Sequence, residues 1–249
     1  MAAAKLRPGR IDLHSHLLPG IDDGCTSLAE SLACVRRLLD AGYVGSVCTP
    51  HVTYYQFPRN TPEAIAGWVA DLQAEIDAAG LEYRLWTGGE VRIAEETAAW
   101  LDAVGVPTLG DSRYVLIDWW NRTWPNFCYE LCEFLMDREY RPILAHPERM
   151  GLEEAELWEV LAELQRMGVR LQGNLNSLSG GEGPQAADWA RRLLAEDRYF
   201  LIASDMHRPH ALDGRIAGLE ELEKLVGAEK AAELLEHRPR QILEVGAAM

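Results

Sequence analysis

The sequence lacks the features that mark membrane, secreted and disulfide-stabilised proteins. No run of about 18 apolar residues occurs, so we expect no transmembrane helix. The first residues contain no apolar segment of the kind that a signal peptide needs. The five cysteines are odd in number and form no C-x-x-C pair. We therefore expect reduced thiols and a cytoplasmic protein.

The chain is also poor in basic residues. It has 24 Lys and Arg against 39 Asp and Glu, a formal net charge of -15. A protein that binds the phosphate backbone of nucleic acids needs a basic face, so we expect no nucleic-acid partner. The same charge argues against anionic membranes. A second interpretation of the acidity is that some carboxylates hold cations.

What is present is an alternation of short apolar runs and longer helical patterns over 249 residues, 48% of them hydrophobic. We count seven β-strand and α-helix pairs without a linker between them, and we predict a single domain over residues 1–249. The predicted strands are RIDLH, GSVCTP, YRLWTGG, YVLIDW, PILAHP, VRLQGN and YFLIAS. Such alternation predicts an α/β fold with mostly parallel strands, either a doubly wound sheet or a closed barrel.

Several helix boundaries carry local signals. Ser27 with Glu30 is a capping-box pattern. Thr61-Pro62 is typical of a helix start, with proline at the first helical position. Gly168 follows an amphipathic pattern and predicts its end.

Potential metal ligands follow six of the seven predicted strands. They are His14, His16, His51, Glu90, Asp118, His146, Asp205 and His207, and a glycine-flanked turn adds Asp22 and Asp23. A barrel brings all its strand ends to one face, whereas an open sheet leaves its outer strands far from a common crevice. The pattern therefore favours a barrel with a metal site at its C-terminal face, although it does not establish closure.

The first motif is the strongest part of this pattern. Alternate residues of an extended strand point to the same side, so His14 and His16 can approach one ion together. Imidazole and carboxylate ligands suit Zn, Mn or Fe. Adjacent residues rarely face one ion, so we expect one of Asp22 and Asp23 to be a ligand and the other to support the turn or a ligand.

The motifs DLHSHLLPGIDDG, CTPH, GGEVR, VLID, AHPER and ASDMH occur in this order between Arg10 and Arg215. Together they resemble the PHP (polymerase and histidinol phosphatase) superfamily. Within it they resemble the bacterial PHP-type protein-tyrosine phosphatases of capsule and exopolysaccharide synthesis. This resemblance implies a distorted, TIM-like (β/α)₇ barrel with a metal cluster at the C-terminal ends of its strands.

The resemblance also implies a cofactor and a set of site residues. The cofactor would be two or three divalent ions, manganese first, with iron or zinc as alternatives. The implied ligands are His14, His16, Asp23, His51, Glu90, Asp118, His146, Asp205 and His207, with Asp118 standing where the family usually has Glu. Arg149 and Arg215 match family arginines that grip the phosphoryl group in catalysis, and a planar guanidinium fits phosphate bidentately.

The chain departs from the family pattern beside this site. Val52 follows His51 where a second histidine is usual, WWNRTWP replaces a Phe-Pro segment, and the loop before Arg215 is longer. We predict that aromatic side chains in two of these segments contact substrate, or else only pack their loops. They are Trp119, Trp120 and Trp124 on one side and Tyr54 and Tyr55 on the other.

Three functions remain open at this point. The first is metal-dependent hydrolysis of phosphotyrosine in a protein, such as a bacterial tyrosine kinase, by activated hydroxide attacking phosphorus in line. The second is hydrolysis of a small phosphate ester such as histidinol phosphate, and the third is a non-catalytic or nuclease-like PHP module. The motifs LPGIDDG and HPER favour the first. We expect no P-loop, no serine triad and no C-x₅-R loop of the thiol-based phosphatases.

Overall fold

A computed structural model describes residues 7–246 of the chain. Its strands are β1 (Arg10–Ser15), β2 (Tyr43–Cys48), β3 (His51–Val52), β4 (Arg84–Thr87), β5 (Glu90–Arg92), β6 (Tyr114–Asp118), β7 (Arg141–Ala145), β8 (Arg170–Asn174) and β9 (Leu201–Ala203). Every strand pair among these residues is parallel. The predicted parallel α/β fold is confirmed.

Helices connect the strands. They are α1 (Leu28–Asp40), α2 (Pro62–Ala78), α3 (Thr97–Val104), α4 (Asn126–Asp137), α5 (Glu154–Met167), α6 (Leu175–Leu178), α7 (Pro184–Ala195), α8 (Leu212–Ala232) and α9 (Arg238–Gly246). Short 3₁₀ turns lie at Pro147–Arg149 and Pro209–Ala211, and a π-helical turn, Glu233–His237, joins α8 to α9. None of the described helices is long and apolar enough to cross a membrane.

The predicted helix signals act as local caps. The Ser27 hydroxyl accepts a hydrogen bond from the Glu30 amide at the start of α1. The Glu30 carboxylate accepts from the Thr26 amide (2.7 Å) rather than from that of Ser27, so the capping box is shifted by one residue. Thr61 caps α2, and Gly168 ends α5 with a φ of 109°.

The described residues form nine strands where the sequence predicted seven, because two short strands, β3 and β5, follow the predicted strands GSVCTP and YRLWTGG. Between β2 and β3 lies Pro50, which has no N–H to donate to a neighbouring strand. The chain of β4 passes Gly88 and Gly89 before β5. A Cβ at Gly88 would lie 2.5 Å from Cγ1 of Val47, and one at Gly89 would lie 2.8 Å from Cγ2 of Val52. Only glycine permits this close crossing of backbone and side chain.

The strands form two sheets, in the orders β1-β2-β4 and β3-β5-β6-β7-β8-β9. One isolated bridge, between Ser15 and Met206, brings the end of β1 against the segment after β9. The His16 amide donates to the Met206 carbonyl (2.8 Å), and the Asp205 amide donates to that of His14 (2.9 Å). The ladder is not continuous among the described residues, so barrel closure stays a prediction.

A compact apolar cluster joins the two sheets. Its members come from β1 and β2 of one sheet and from β6, β7 and β9 of the other, and Ile242 and Leu243 of α9 pack with them. A larger cluster fills the space between the strands and the surrounding helices. Burial of both apolar layers holds the strand ends in fixed positions.

Candidate metal centre

The nine predicted ligands converge near the C-terminal ends of β1, β6, β7 and β9, where β3 and β5 begin. Their nitrogen and oxygen atoms form four overlapping groups, each with all atoms within 4.8 Å of one another. The groups are His16 with Asp23, His51 and His207; His14 with Glu90 and His146; His14 with His16 and Asp205; and His51 with Glu90 and Asp118. The structure therefore contains candidate metal-binding clusters where the sequence predicted them.

The H-x-H motif behaves as an extended strand requires. Both imidazoles are buried and lie on one side of β1, with His14 Nε2 and His16 Nε2 3.2 Å apart. His14 Nδ1 donates to Oε1 of Gln172 on β8 (2.9 Å), which fixes the ring with Nε2 facing the cluster. Sequence reasoning missed Gln172 because no motif marks it.

The two adjacent aspartates have separate roles. Asp22 accepts hydrogen bonds from His16 Nδ1 (2.6 Å) and from the amides of His51 (3.0 Å) and Gly24 (2.9 Å). Asp23 Oδ1 instead lies 3.3 Å from His51 Nε2 and 3.4 Å from Nε2 of His207. Asp22 thus orients an imidazole and stabilises the turn, whereas Asp23 is the one that joins the candidate cluster.

Glu90 lies at the centre of the cluster. Its Oε1 is 3.0 Å from His146 Nε2 and 3.4 Å from His14 Nε2. Its Oε2 is 2.7 Å from His51 Nδ1 and 3.5 Å from His16 Nε2. Both carboxylate oxygens of Glu90 would therefore be available as ligands for divalent ions beside these imidazoles.

Asp118 reaches the same cluster despite its short side chain. Its Oδ2 accepts from Nη1 of Arg92 (2.6 Å), the cross-strand neighbour on β5, and Oδ1 is left 3.8 Å from His146 Nδ1. The Asp118 side chain has nearly no solvent exposure. Arg92 is a second residue that the sequence analysis did not select.

Two candidate ligands occupy backbone conformations that most residues avoid. The φ of His146 is 31° and the φ of Asp205 is 50°. Such left-handed positions cost a non-glycine residue on the order of 1 kcal/mol or more. The Arg149 amide bonds the His146 carbonyl (2.9 Å) and the Asp205 amide bonds the His14 carbonyl, which maintains both turns. The strain aims both side chains into the cluster.

The imidazoles and carboxylates of the cluster shift one another's pKa values. Burial would lower the pKa of His16, but the Asp22 and Asp205 carboxylates outweigh it and raise that pKa to about 10. The pKa of His51 rises to about 11 because Glu90 and Asp23 outweigh burial in the same way. Burial would raise the pKa of Glu90, yet the His14 and His51 imidazoles hold it well below its usual range. Without metal, protons on the imidazoles neutralise the carboxylates.

The unpaired atoms of the cluster test whether divalent ions fit it. Asp118 Oδ1 and His146 Nδ1 are buried and form no hydrogen bond, and the nearest basic group to Glu90 Oε2 is the His51 imidazole at 2.7 Å. Unsatisfied buried polar groups are costly and rare, and two within one cluster indicate a missing partner. Mixed imidazole and carboxylate donors suit Mn, Fe or Zn. The residues present therefore fit a group of divalent ions.

The two predicted arginines are placed differently. Arg149 Nη1 donates to Oδ2 of Asp205 (2.6 Å), so its guanidinium lies at the edge of the cluster. Arg215 is buried, and its Nε, Nη1 and Nη2 donate to the carbonyls of Ser204, Asp205 and Ala211 at 2.6 to 3.0 Å. Arg215 thus holds the backbone after β9, and its expected contact with a phosphoryl group stays a prediction.

Comparison with known families agrees with this geometry. Residues 10–244 match the CpsB/CapC family, described as capsular polysaccharide synthesis. The chain belongs to the CpsB/CapC family. The family resemblance seen in the motifs is confirmed.

Relatives and solved structures are similar over most of the chain. The tyrosine-protein phosphatase CpsB of Streptococcus pneumoniae is 30% identical over 244 residues, 94% of this chain and 98% of that protein. The tyrosine-protein phosphatase YwqE of Bacillus subtilis is 29% identical over 197 residues, 79% of this chain and 77% of that protein. A crystal structure from work on these two, called unique metal-dependent tyrosine phosphatases, has a TM-score of 0.82 at 28% identity and covers 94% of both chains. The phosphotriesterase homology protein of Escherichia coli shares the fold alone, with a TM-score of 0.58 at 11% identity.

An aromatic cavity lies beside the candidate metal-binding cluster of this CpsB/CapC protein. It has a volume of about 420 Å³, and Tyr54, Tyr55, Arg92, Trp119 and Trp120 are among its lining residues. Trp120 is 53% exposed and Tyr55 is 58% exposed, whereas Trp119 is 5% exposed. The Trp120 ring lies under two guanidinium groups, those of Arg92 at 5.2 Å and Arg149 at 4.8 Å.

Trp124 does not line this cavity. Its ring is 9% exposed and packs edge to face against Trp119 and Tyr129. Trp119 Nε1 donates to the Thr123 carbonyl (2.9 Å), which closes the loop on itself. Of the three tryptophans predicted to contact substrate, Trp124 supports the loop in this structure, and Trp120 presents its ring.

A cysteine-based phosphatase site is excluded by position, although the spacing C-x₅-R does occur from Cys132 to Arg138. The expectation that no cysteine begins such a segment is therefore wrong as to spacing, but Cys132 lies within α4 and Arg138 ends that helix, so the segment is helical and forms no phosphate-binding loop. Cys132 is buried, and burial raises the pKa of its thiol to about 12. Since the thiolate is the nucleophile of such enzymes, this cysteine is inert.

Proposed function

We propose that this CpsB/CapC protein is a metal-dependent phosphatase that hydrolyses phosphotyrosine in proteins or peptides. The observation that carries the proposal is the convergence of nine imidazole and carboxylate side chains in overlapping clusters, with the buried Asp118 Oδ1 and His146 Nδ1 left without a hydrogen-bond partner. The names of the relatives support the same activity.

The proposed ligands are the nine residues of the cluster. They are His14, His16, Asp23, His51, Glu90, Asp118, His146, Asp205 and His207. We propose two or three divalent ions, manganese first and iron or zinc as alternatives. Divalent ions, when bound, neutralise the charge of a phosphate ester and lower the pKa of bound water toward about 7.

The protein's own groups then position the substrate. Gln172 and Asp22 hold His14 and His16 in the ring orientations described above. Arg149 carries donors that suit phosphoryl oxygens, and it cannot lose its charge at working pH. Because Arg149 also bonds Asp205, the phosphoryl group would be held next to the ligand cluster.

The aromatic cavity supplies a place for the ring of the substrate. We propose that Trp120 and Tyr55 contact the phenyl ring, because their side chains are exposed at the cavity. Trp119 and Tyr54 line the same cavity. Aromatic rings in offset or edge-to-face contact would favour an aryl ester over an alkyl ester.

The partner we propose is a phosphotyrosine-bearing protein, for which a bacterial tyrosine kinase is the leading candidate. We also propose that residues 1–249 act as one domain in the cytoplasm. The support for the location is that all five cysteines are unpaired thiols.

A substrate panel tests this proposal. Purified protein with Mn²⁺ should release phosphate from a phosphotyrosine peptide much faster than from the matched phosphoserine peptide or from histidinol phosphate. Preference for histidinol phosphate would instead establish the small-molecule phosphatase. Hydrolysis of none of the three would contradict the proposed activity.

A further inference from the structure

Arg149 is held on three sides. Nη1 donates to Oδ2 of Asp205 at 2.6 Å, Nε lies 3.4 Å from Oε2 of Glu182, and the guanidinium carbon is 4.8 Å from the centre of the Trp120 ring. Nη2 forms no hydrogen bond within residues 7–246. The two carboxylates and the indole therefore leave one amino group of the guanidinium available.

Glu182 is itself held by a chain of polar contacts. Nδ2 of Asn176 donates to Oε1 of Glu182 at 2.6 Å, and the Asn176 amide donates to Oδ1 of Asn174 at 2.9 Å. Nδ2 of Asn174 donates to Oδ2 of Asp205 at 3.0 Å. Because Asp205 also bonds Arg149, the contacts form a closed ring from Arg149 through Glu182 and both asparagines back to Arg149.

Two glycines confine the middle of this ring. A Cβ at Gly181 would lie 2.2 Å from Oδ1 of Asn176, and a Cβ at Gly214 would lie 2.5 Å from the same atom. A larger residue at either position would push the side-chain amide of Asn176 away from Glu182. The segment between α6 and α7 is thus shaped to present the Glu182 carboxylate to Arg149.

We propose that Glu182 is a positioning residue that fixes the guanidinium of Arg149 for the phosphoryl group. An arginine side chain has many rotamers, and a binding site gains affinity when the bound rotamer is already populated. Glu182 and Asp205 contact two nitrogens of the guanidinium, Nε and Nη1, and leave Nη2 without an acceptor among residues 7–246. This inference rests on the proposed phosphatase function, because it assumes that Arg149 binds a phosphoryl group.

The Glu182 carboxylate would weaken phosphate binding, rather than strengthen it, if it competed with phosphate for Arg149. In that case Glu182 occupies donors that the substrate needs, and its removal tightens anion binding. The direction of the change in phosphate affinity on removing Glu182 distinguishes the two effects.

The experiment measures the dissociation constant of inorganic phosphate by calorimetry on the Mn²⁺-loaded protein, together with kcat and KM on a phosphotyrosine peptide. The variants are Glu182→Ala, Glu182→Gln and Asn176→Ala. The control is Glu163→Ala, which removes a carboxylate from an exposed ion pair with Arg166 on α5. Metal content and the thermal unfolding midpoint are measured for each protein.

We expect Glu182→Ala to weaken phosphate binding and to lower kcat/KM by about tenfold, equivalent to about 1.4 kcal/mol. Glu182→Gln keeps the acceptor for Asn176 and should lose less, Asn176→Ala should follow Glu182→Ala, and metal content should be unchanged in all. Phosphate binding by Glu182→Ala equal to that of Glu163→Ala, or tighter than wild type, would overturn this inference alone. A wild-type protein that neither binds phosphate nor hydrolyses an ester would overturn the proposed function and this inference with it.

Discussion

Replacement of Trp120 by alanine should reduce the preference for aryl over alkyl phosphates. Trp120 is the exposed member of the three tryptophans, and it lines the cavity beside the cluster. A stacked or edge-to-face ring pair is worth about 0.5–1.5 kcal/mol beyond area burial. The ratio of phosphotyrosine to phosphoserine hydrolysis should therefore fall by about twofold to tenfold.

The indole also lies under the guanidinium of Arg149, so its removal affects every phosphate ester. A cation–π contact of this kind contributes about 0.5–1 kcal/mol at an exposed site. This second loss lowers kcat/KM for both peptides alike and cancels in their ratio. The ratio therefore isolates the contact between Trp120 and the substrate ring.

The assay compares kcat/KM for two peptides that differ only in phosphotyrosine or phosphoserine. Trp158→Ala is the matched control, because Trp158 also packs under an arginine, Arg192 at 4.0 Å, but lies on α5. An unchanged ratio in Trp120→Ala, or an equal fall in Trp158→Ala, would refute the reasoning. The preference would then come from cleft depth or from Tyr54 and Tyr55.

The remaining predictions concern the arginine, the ligands and the thiol. Arg149→Lys keeps the charge but loses the planar fork, so kcat/KM should fall about tenfold or more; equal steady-state kinetics would show that Arg149 is structural. The raised pKa values of His16 and His51, about 10 and 11, mean protonated rings at pH 7 in the metal-free protein. Metal binding needs neutral imidazole, so it should release protons and become tighter as the pH rises. Calorimetry in buffers of different ionisation enthalpy should detect the released protons. Binding heats that do not depend on the buffer would refute this prediction. Cys132→Ser should leave activity unchanged, because the thiol is buried within a helix, and a large loss would revive a thiol mechanism.

The sequence predicts the positions of the ligands better than it predicts their partners. His14 and His16 were expected on one side of a strand because alternation follows from extended backbone, and the structure confirms that placement. The choice between Asp22 and Asp23 depends on the turn around Gly24, which no periodicity describes. Gln172 and Glu182 come from segments distant in sequence and carry no motif, so only the fold brings them to the site.

The strand breaks and the tryptophan loop show the same limit. The apolar runs predict strands, but they do not reveal that Gly88 and Gly89 pass close to Val47 and Val52, because those contacts join segments distant in sequence. The letters WWNRTW likewise do not reveal which indole is exposed. In the structure the edge-to-face pair of Trp119 and Trp124 buries two rings and leaves Trp120 at the cavity.

The central claim is that the strand-end cluster binds the ions on which phosphotyrosine hydrolysis depends. The most direct measurement is a titration of chelator-stripped protein with Mn²⁺, following bound metal and phosphotyrosine hydrolysis in the same samples, for wild type and Glu90→Ala. We predict that wild-type activity rises with occupancy and saturates at two or three ions per chain, while Glu90→Ala binds fewer ions and stays inactive with its circular dichroism spectrum retained. Full activity in the stripped protein, or in Glu90→Ala with the cluster empty, would contradict the account.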